Sequence, residues 1–258
     1  MNYYLQSLIL IFIYMNLWFV LALKTRDNSI VDIGWGIGFI IVALYNLLTV
    51  SEQSVRQVLV TILIVLWGVR LSAYIFSRNK GKAEDFRYAQ WRKHWGSRWL
   101  LRSYLQVFVL QGLFMFLISY PVVLLRDPRK IGLNWLDYLG ILVWASGFII
   151  ESLADAQKGR FKKIPANKGK VMRKGLWGIS RHPNYFGESL MWWGVFLITC
   201  KVANGSLAIF SPVIITILIT SVSGIPLIEK HHKDNPEYQE YVRTTSAFIP
   251  WFKKNSKA

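Results

Sequence analysis

Seven apolar stretches of 16 to 24 residues divide this chain, and a soluble core has no use for so many. They run 4–23, 30–50, 55–77, 104–125, 133–153, 185–200 and 205–228. A helix of about 20 apolar residues crosses the hydrocarbon of a bilayer, and only a helix or a closed barrel satisfies its backbone there. The expected fold is therefore an all-α membrane protein with about seven transmembrane helices. Stretch 5–23 is too long for a signal-peptide core, no positive charge precedes it and no cleavage site follows, so it reads as a retained span. The sixth stretch, 16 residues long, is short for a span. With the tight 201–204 link it suggests a tilted hairpin that need not cross fully. The halves show no repeat and the linkers are short, so 1–258 reads as a single polytopic domain.

Charge orients the chain. A net charge of +17 suggests a nucleic-acid binder, but 53% hydrophobic residues exclude a soluble one. Segments 24–29, 78–103, 154–183 and 229–258 hold 25 of the 31 Lys and Arg, and the alternate segments hold 5. By the positive-inside rule the expected orientation is N-out and C-in. The setting is an integral multi-pass one, in a bacterial inner membrane or one of endoplasmic-reticulum type. Cys200, the single cysteine, allows no internal disulfide and reads as a packed apolar residue.

Polar side chains within the spans gather at the basic ends. Asp32 opens the second span. Arg70 and Tyr74 share a face of the third, with Arg70 about 10 Å from its end at 1.5 Å per residue. Glu151 and Asp155 bracket the end of the fifth, and Glu229, His231 and His232 close the seventh. The pattern predicts a cavity open to the cytosolic side, wet at its mouth and apolar below. The plainer readings are an Asp32–Arg70 ion pair, solvated acids at a helix end, and an interfacial belt made of Tyr88, Trp91, Trp95 and Trp99. The histidines have no metal spacing, and no metal is expected.

Ser180-Arg-His-Pro-Asn-Tyr-Phe-Gly-Glu188 carries the sharpest signal. Pro183 suits a first helical turn, and Asn184 and Glu188 then lie on one face. A carboxylate inside a membrane helix marks a functional site by default. Segment 154–183, with nine Lys and Arg, suits a polyanion such as a phosphorylated dinucleotide. No Gly-x-Gly-x-x-Gly or P-loop pattern is present, so a nucleotide would sit among helices.

Gly175–Glu188 resembles the signature of the steroid 5-alpha-reductase C-terminal family, and more closely its bacterial branch of uncharacterised multi-pass proteins. The likeness continues in Glu151-Ser-Leu-Ala-Asp155-Ala-Gln157-Lys158, in Trp67-Gly-Val-Arg70-Leu71, in Glu84-Asp-Phe-Arg-Tyr88, and in Glu229-Lys230 with Tyr238, Tyr241 and Phe248-Ile-Pro250. It covers about 30–251, most densely 150–251. It implies an NADPH-dependent membrane reductase acting on a C=C bond of an apolar lipid or steroid-like substrate. Asn184, Glu188, Asp155 and Glu151 would contact the cofactor, with Arg70, Tyr74, Lys158, Lys162, Lys170, Arg181, His182, Tyr185 and Glu229 around it. Family members hold a substrate carbonyl with a second-helix acid and a third-helix tyrosine; here Asp32 is the only such acid and Trp67 stands at the tyrosine position. A neutral Asp32, the Trp67 N–H or the Tyr74 O–H is the expected donor to the developing oxyanion. Two other classes fit in part. Arg181-His182-Pro183-x-Tyr185 is shared with S-adenosylmethionine-dependent membrane methyltransferases of the isoprenylcysteine carboxyl type, and an apolar cavity alone would suit a non-catalytic lipid binder.

Overall fold

The computed structural model describes residues 2–126 and 132–252. All regular structure among the described residues is helical. Helix α1 is Tyr3–Thr25, α2 Val31–Leu48 behind a 3-10 turn at Asn28–Ile30, and α3 Val55–Asn79. Next come α4 (Phe86–Trp95), α5 (Trp99–Arg102), a π-helical stretch at Ser103–Val109, α6 (Leu110–Ile118) and α7 (Tyr120–Leu124). Helices α8 (Trp135–Lys163), α9 (Pro183–Thr199), α10 (Phe210–Ile217), α11 (Ile225–His231) and α12 (Pro236–Thr244) complete the chain.

Six helical stretches among the described residues are long and apolar enough to cross a membrane: Tyr3–Thr25, Asn28–Leu48, Val55–Asn79, Phe86–Ile118, Trp135–Lys163 and Gly205–His231. The protein is an all-helical, multi-pass membrane protein. Helix α9, at 17 residues, is the short sixth stretch. The fourth span differs from its expected 104–125 limits. It begins at Phe86, because basic and aromatic residues continue the helix outward from the apolar part, and it breaks at Ser119, just before Pro121.

The chain divides into two compact units, one made of the described residues of Met1–Asn134 with Thr199–Ser211, the other of Trp135–Ile198 with the described residues of Pro212–Ala258. In the first unit α2 and α3 run antiparallel in close contact. A methyl on Gly36 would lie 2.5 Å from the Gly68 carbonyl oxygen, and one on Gly68 2.7 Å from that of Gly36. Membrane helices lack a hydrophobic drive to associate, so small residues that admit close backbones decide where they cross. The Ser72 hydroxyl donates to the Ile33 carbonyl (2.8 Å) beside this contact. At the far end of α2, Arg126 is buried and donates to the Thr49 hydroxyl (2.6 Å) and carbonyl (3.0 Å), with its guanidinium 4.0 Å from the Tyr3 ring.

The second unit repeats the glycine device with a heptad spacing. Helices α8 and α9 are antiparallel, with Gly147 against Gly187 and Gly140 against Gly194. A methyl on Gly187 would meet the Gly147 carbonyl oxygen at 2.6 Å and the Glu151 nitrogen at 2.7 Å. The close approach brings the Glu151 turn of α8 against the Glu188 turn of α9.

Candidate functional site

In the second unit, the helix start at Pro183 is fixed by its neighbours. The Ser180 hydroxyl accepts from the His182 N–H (3.1 Å) and donates to the Phe248 carbonyl (2.8 Å). The His182 carbonyl then accepts from the Phe186 N–H (3.2 Å), opening α9 with Pro183 in its first turn, where a missing N–H costs nothing. Asn184 and Glu188 consequently share a face one turn into the helix. Glu188 is buried, as are Glu151 and Asp155, which are 3% and 4% exposed. That burial rules out the plain reading of Glu151 and Asp155 as solvated residues at a helix end. Among the described residues the Asn184 Oδ1, shielded from solvent, has no hydrogen-bond partner.

Arg181 turns out to be a latch. Its Nε and Nη2 donate to Glu229 Oε1 (2.9 and 2.7 Å), and its Nη1 to the carbonyls of Val242 (3.0 Å) and Thr245 (2.6 Å). A guanidinium engaged on three sides holds the C-terminal segment and has little left for a phosphate. His182 Nε2 lies 3.5 Å from the same Glu229 oxygen, and its ring is stacked on Tyr185 (5.6 Å, 7°). His182 is pushed below its ordinary pKa because burial disfavours the cation and outweighs the Glu229 carboxylate. Lys158 sits 4.0 Å over the Trp177 ring, whose N–H donates to the Ala154 carbonyl (2.9 Å). Lys162 and Lys170 are exposed. Gln157 is structural: its Oε1 accepts from the Leu176 N–H (3.0 Å), next to Gly175, whose φ of +61° a residue with a Cβ rarely adopts.

The first unit holds a second polar cluster. Asp32 accepts from Arg87 Nη2 (2.8 Å) and from the Tyr88 hydroxyl (2.5 Å). Arg87 also bonds Asp85 (2.9 Å), which caps α4 by accepting from the Arg87 N–H (3.0 Å). Glu84 accepts from Arg92 (2.7 Å) and from the Asn28 N–H (2.8 Å), tying this segment to the turn before α2. Asp32 thus pairs with a base from the start of α4. Tyr88, expected in an interfacial belt, is 3% exposed and bonds Asp32, while Gln111 Nε2 donates to its oxygen (3.4 Å). The adjacency of Asp85, Arg87 and Tyr88 was the available sequence signal for this cluster. Trp67 is buried, edge-on to Phe39 at 5.5 Å. Tyr74 is half-buried, with Arg78 5.9 Å from its ring, and Arg70 lies one turn before it on α3. No group of three or more potential metal ligands occurs among the described residues.

These features define a multi-pass helical protein with buried acids and a polar amide on its helices. The chain belongs to the family described as "Protein of unknown function (DUF1295)", whose model matches residues 18–245. It is 28% identical over 225 residues to the uncharacterized protein C594.04c of Schizosaccharomyces pombe, covering 76% of this chain and 64% of that one. It is 29% identical over 120 residues to the Delta(14)-sterol reductase of Arabidopsis thaliana (43% of this chain, 31% of the other). Over 72 residues it is 35% identical to the probable O-methyltransferase ustE of Ustilaginoidea virens (28% and 25%). The chain spans less than two thirds of the length of the curated relatives it matches. No solved structure matches it.

Proposed function

We propose that this protein is a membrane-embedded, NADPH-dependent reductase of a C=C bond in an apolar, lipid or steroid-like molecule. The observation that carries the reading is the polar face of buried Glu151, Asp155 and Glu188 with half-buried Asn184, on the turns of α8 and α9 that the Gly147–Gly187 approach brings together. The Asn184 Oδ1 has no partner, and a nicotinamide carboxamide brings an N–H donor of the kind that atom needs. The partial likeness to a sterol reductase supports the same class. The chain crosses the membrane seven times in this reading, N-terminus out and C-terminus in, with α9 as the short crossing.

When bound, NADPH supplies the hydride. Asn184 and Glu188 orient the nicotinamide end, and Glu151 and Asp155 accept from hydroxyls nearby. Lys162 and Lys170, exposed and basic, meet phosphates. Hydride addition to a conjugated C=C moves an electron pair onto the carbonyl oxygen, which then needs a donor. The Trp67 N–H and the Tyr74 O–H are the donors proposed for it, the Tyr88 hydrogen being already given to Asp32.

Thermal unfolding of the purified protein tests this. NADPH at 100 times its dissociation constant should add about 2.7 kcal/mol of stability, and Asn184→Ala or Glu188→Gln should abolish the gain. A methyltransferase is the second reading, favoured by the 72-residue likeness to ustE and by Glu229 gathered with Arg181 and His182. Stabilisation by S-adenosylmethionine and not by NADPH would establish it instead.

A further inference from the structure

A separate apolar cavity of about 200 Å³ lies in the first unit between α1 and the segment 104–113. Its wall includes Ile11, Met15, Phe108 and Gly112, and Leu8, Phe12 and Leu113, exposed by 38%, 53% and 47%, form its open side. On a membrane-spanning helix that side faces hydrocarbon. The polar groups at the wall are Asn16 and Tyr104. The Tyr104 hydroxyl donates to Asn16 Oδ1 (3.2 Å), and Asn16 Nδ2 donates to the Phe12 carbonyl (2.7 Å). The Tyr104 oxygen, its hydrogen given to Asn16, keeps lone pairs that can accept.

Two features shape the space. Ser103–Val109 is π-helical, a geometry that is rare and recurs at functional sites. It carries Tyr104, Phe108 and Val109 into the wall, with Phe19 packed against the first two rings at 4.9 and 5.2 Å. One turn further along the same helix and facing α1, Gly112 contributes only backbone, so that a methyl there would lie 3.1 Å from Met15 Cγ.

We propose that this cavity binds a single-chain lipid alcohol from the bilayer, its chain against Ile11, Met15 and Phe108 and its hydroxyl donating to the Tyr104 oxygen. An apolar cavity of about 150 Å³ admits benzene, so this one takes about eight carbons, a chain segment and not a helix of a second protein. The open side admits the chain laterally, and one acceptor at the wall selects a hydroxyl over a plain alkyl end. The site stands whether or not the protein is a reductase.

The test is photolabelling of the purified full chain in phosphatidylcholine vesicles with a dodecanol carrying a diazirine on its chain, followed by peptide mapping. Labelling should concentrate on residues 8–16 and 104–113 and be displaced by excess 1-dodecanol at least tenfold better than by dodecane. Gly112→Leu, which fills the cavity, should remove the labelling, and Phe12→Trp, a substitution at the exposed mouth that leaves packing intact, should reduce it if the first variant does not fold. Tyr104→Phe should weaken displacement by dodecanol about fivefold, the loss of one neutral hydrogen bond. Labelling spread evenly over the lipid-facing helices, or unchanged in Phe12→Trp, overturns the site. Unchanged displacement in Tyr104→Phe overturns the hydroxyl contact.

Discussion

The two polar clusters are closed by different forces. Around Asp32, charge makes the closure: Arg87 ties α4 to Asp32 on α2 and to its own capping Asp85, and Arg92 ties α4 to Glu84 in the preceding loop. Around Glu188, packing makes it: four glycines bring two backbones within reach, and the polar side chains ride on helices already in contact. A charge-made cluster specifies the position of a loop. A packing-made cluster specifies a surface whose polar atoms are placed before any ligand arrives, and the Asn184 oxygen is one such atom.

The largest effect should come from breaking the charged cluster. Arg87→Ala leaves Asp32 and Asp85 facing each other's neighbourhood without their cation. Loss of one partner of a buried pair costs about 3–5 kcal/mol, and since these side chains keep 21% and 17% exposure, about 2–3 kcal/mol is expected. Thermal unfolding should show it together with protease sensitivity near residues 80–96. Next, Gly187→Ala should cost about 2 kcal/mol, because a methyl 2.6 Å from a carbonyl oxygen forces α8 and α9 apart. Gly159→Ala, on the same α8 with nothing within 4 Å, should instead be neutral or slightly stabilising. Equal melting shifts for the two glycine variants would show that packing does not set this cluster.

These outcomes also separate what the sequence made legible from what it did not. Apolar length marked the spans, because the bilayer imposes a single length scale on every one of them. The limits of the fourth span were missed, since a basic, aromatic sequence such as 86–102 forms helix as readily as loop when tertiary contacts support it. Residue type flagged Glu151, Asp155, Asn184 and Glu188 because carboxylates in apolar helices are conspicuous. Their shared face follows from the 3.6-residue period. The glycines pairing α8 with α9 were not read, although 140/147 and 187/194 have the same spacing, because a glycine's use depends on what approaches it. Long-range partners were equally hidden: nothing local says that Asp32 meets residues 87 and 88, or that Arg181 closes on Glu229 and the tail.

Tyr88→Phe offers a sharper probe of the charged cluster than Arg87→Ala, since it keeps the ring and its packing against Trp91. One hydrogen bond to a carboxylate is lost, and about 1–2 kcal/mol of stability should go with it.

The smallest effect is a pH dependence at the C-terminal latch, and its sign is fixed. Burial lowers the pKa of His182. Glu229 at 3.5 Å pulls it up, Lys158 and Arg181 push it down, and burial prevails. The folded protein therefore resists the proton that the unfolded chain accepts near pH 6.5. Stability should be at its full value above that point and decline as pH falls through it, by at most about 1.4 kcal/mol for each tenfold loss of proton affinity on folding. His232 is lowered in the same sense, by its own burial and by His231, Lys158, Lys162 and His182, so His182→Gln should shrink the decline without erasing it. Asp85 stays outside this window. Burial raises its carboxyl, yet the hydrogen bond and charge of Arg87 bring it net below the ordinary value, so its contribution is lost only below about pH 4. Unfolding temperatures measured from pH 7.5 to 5.5 for the wild type and His182→Gln decide the matter. A wild type that gains stability on acidification would mean that Glu229 outweighs burial, and that the latch tightens through a His182–Glu229 ion pair.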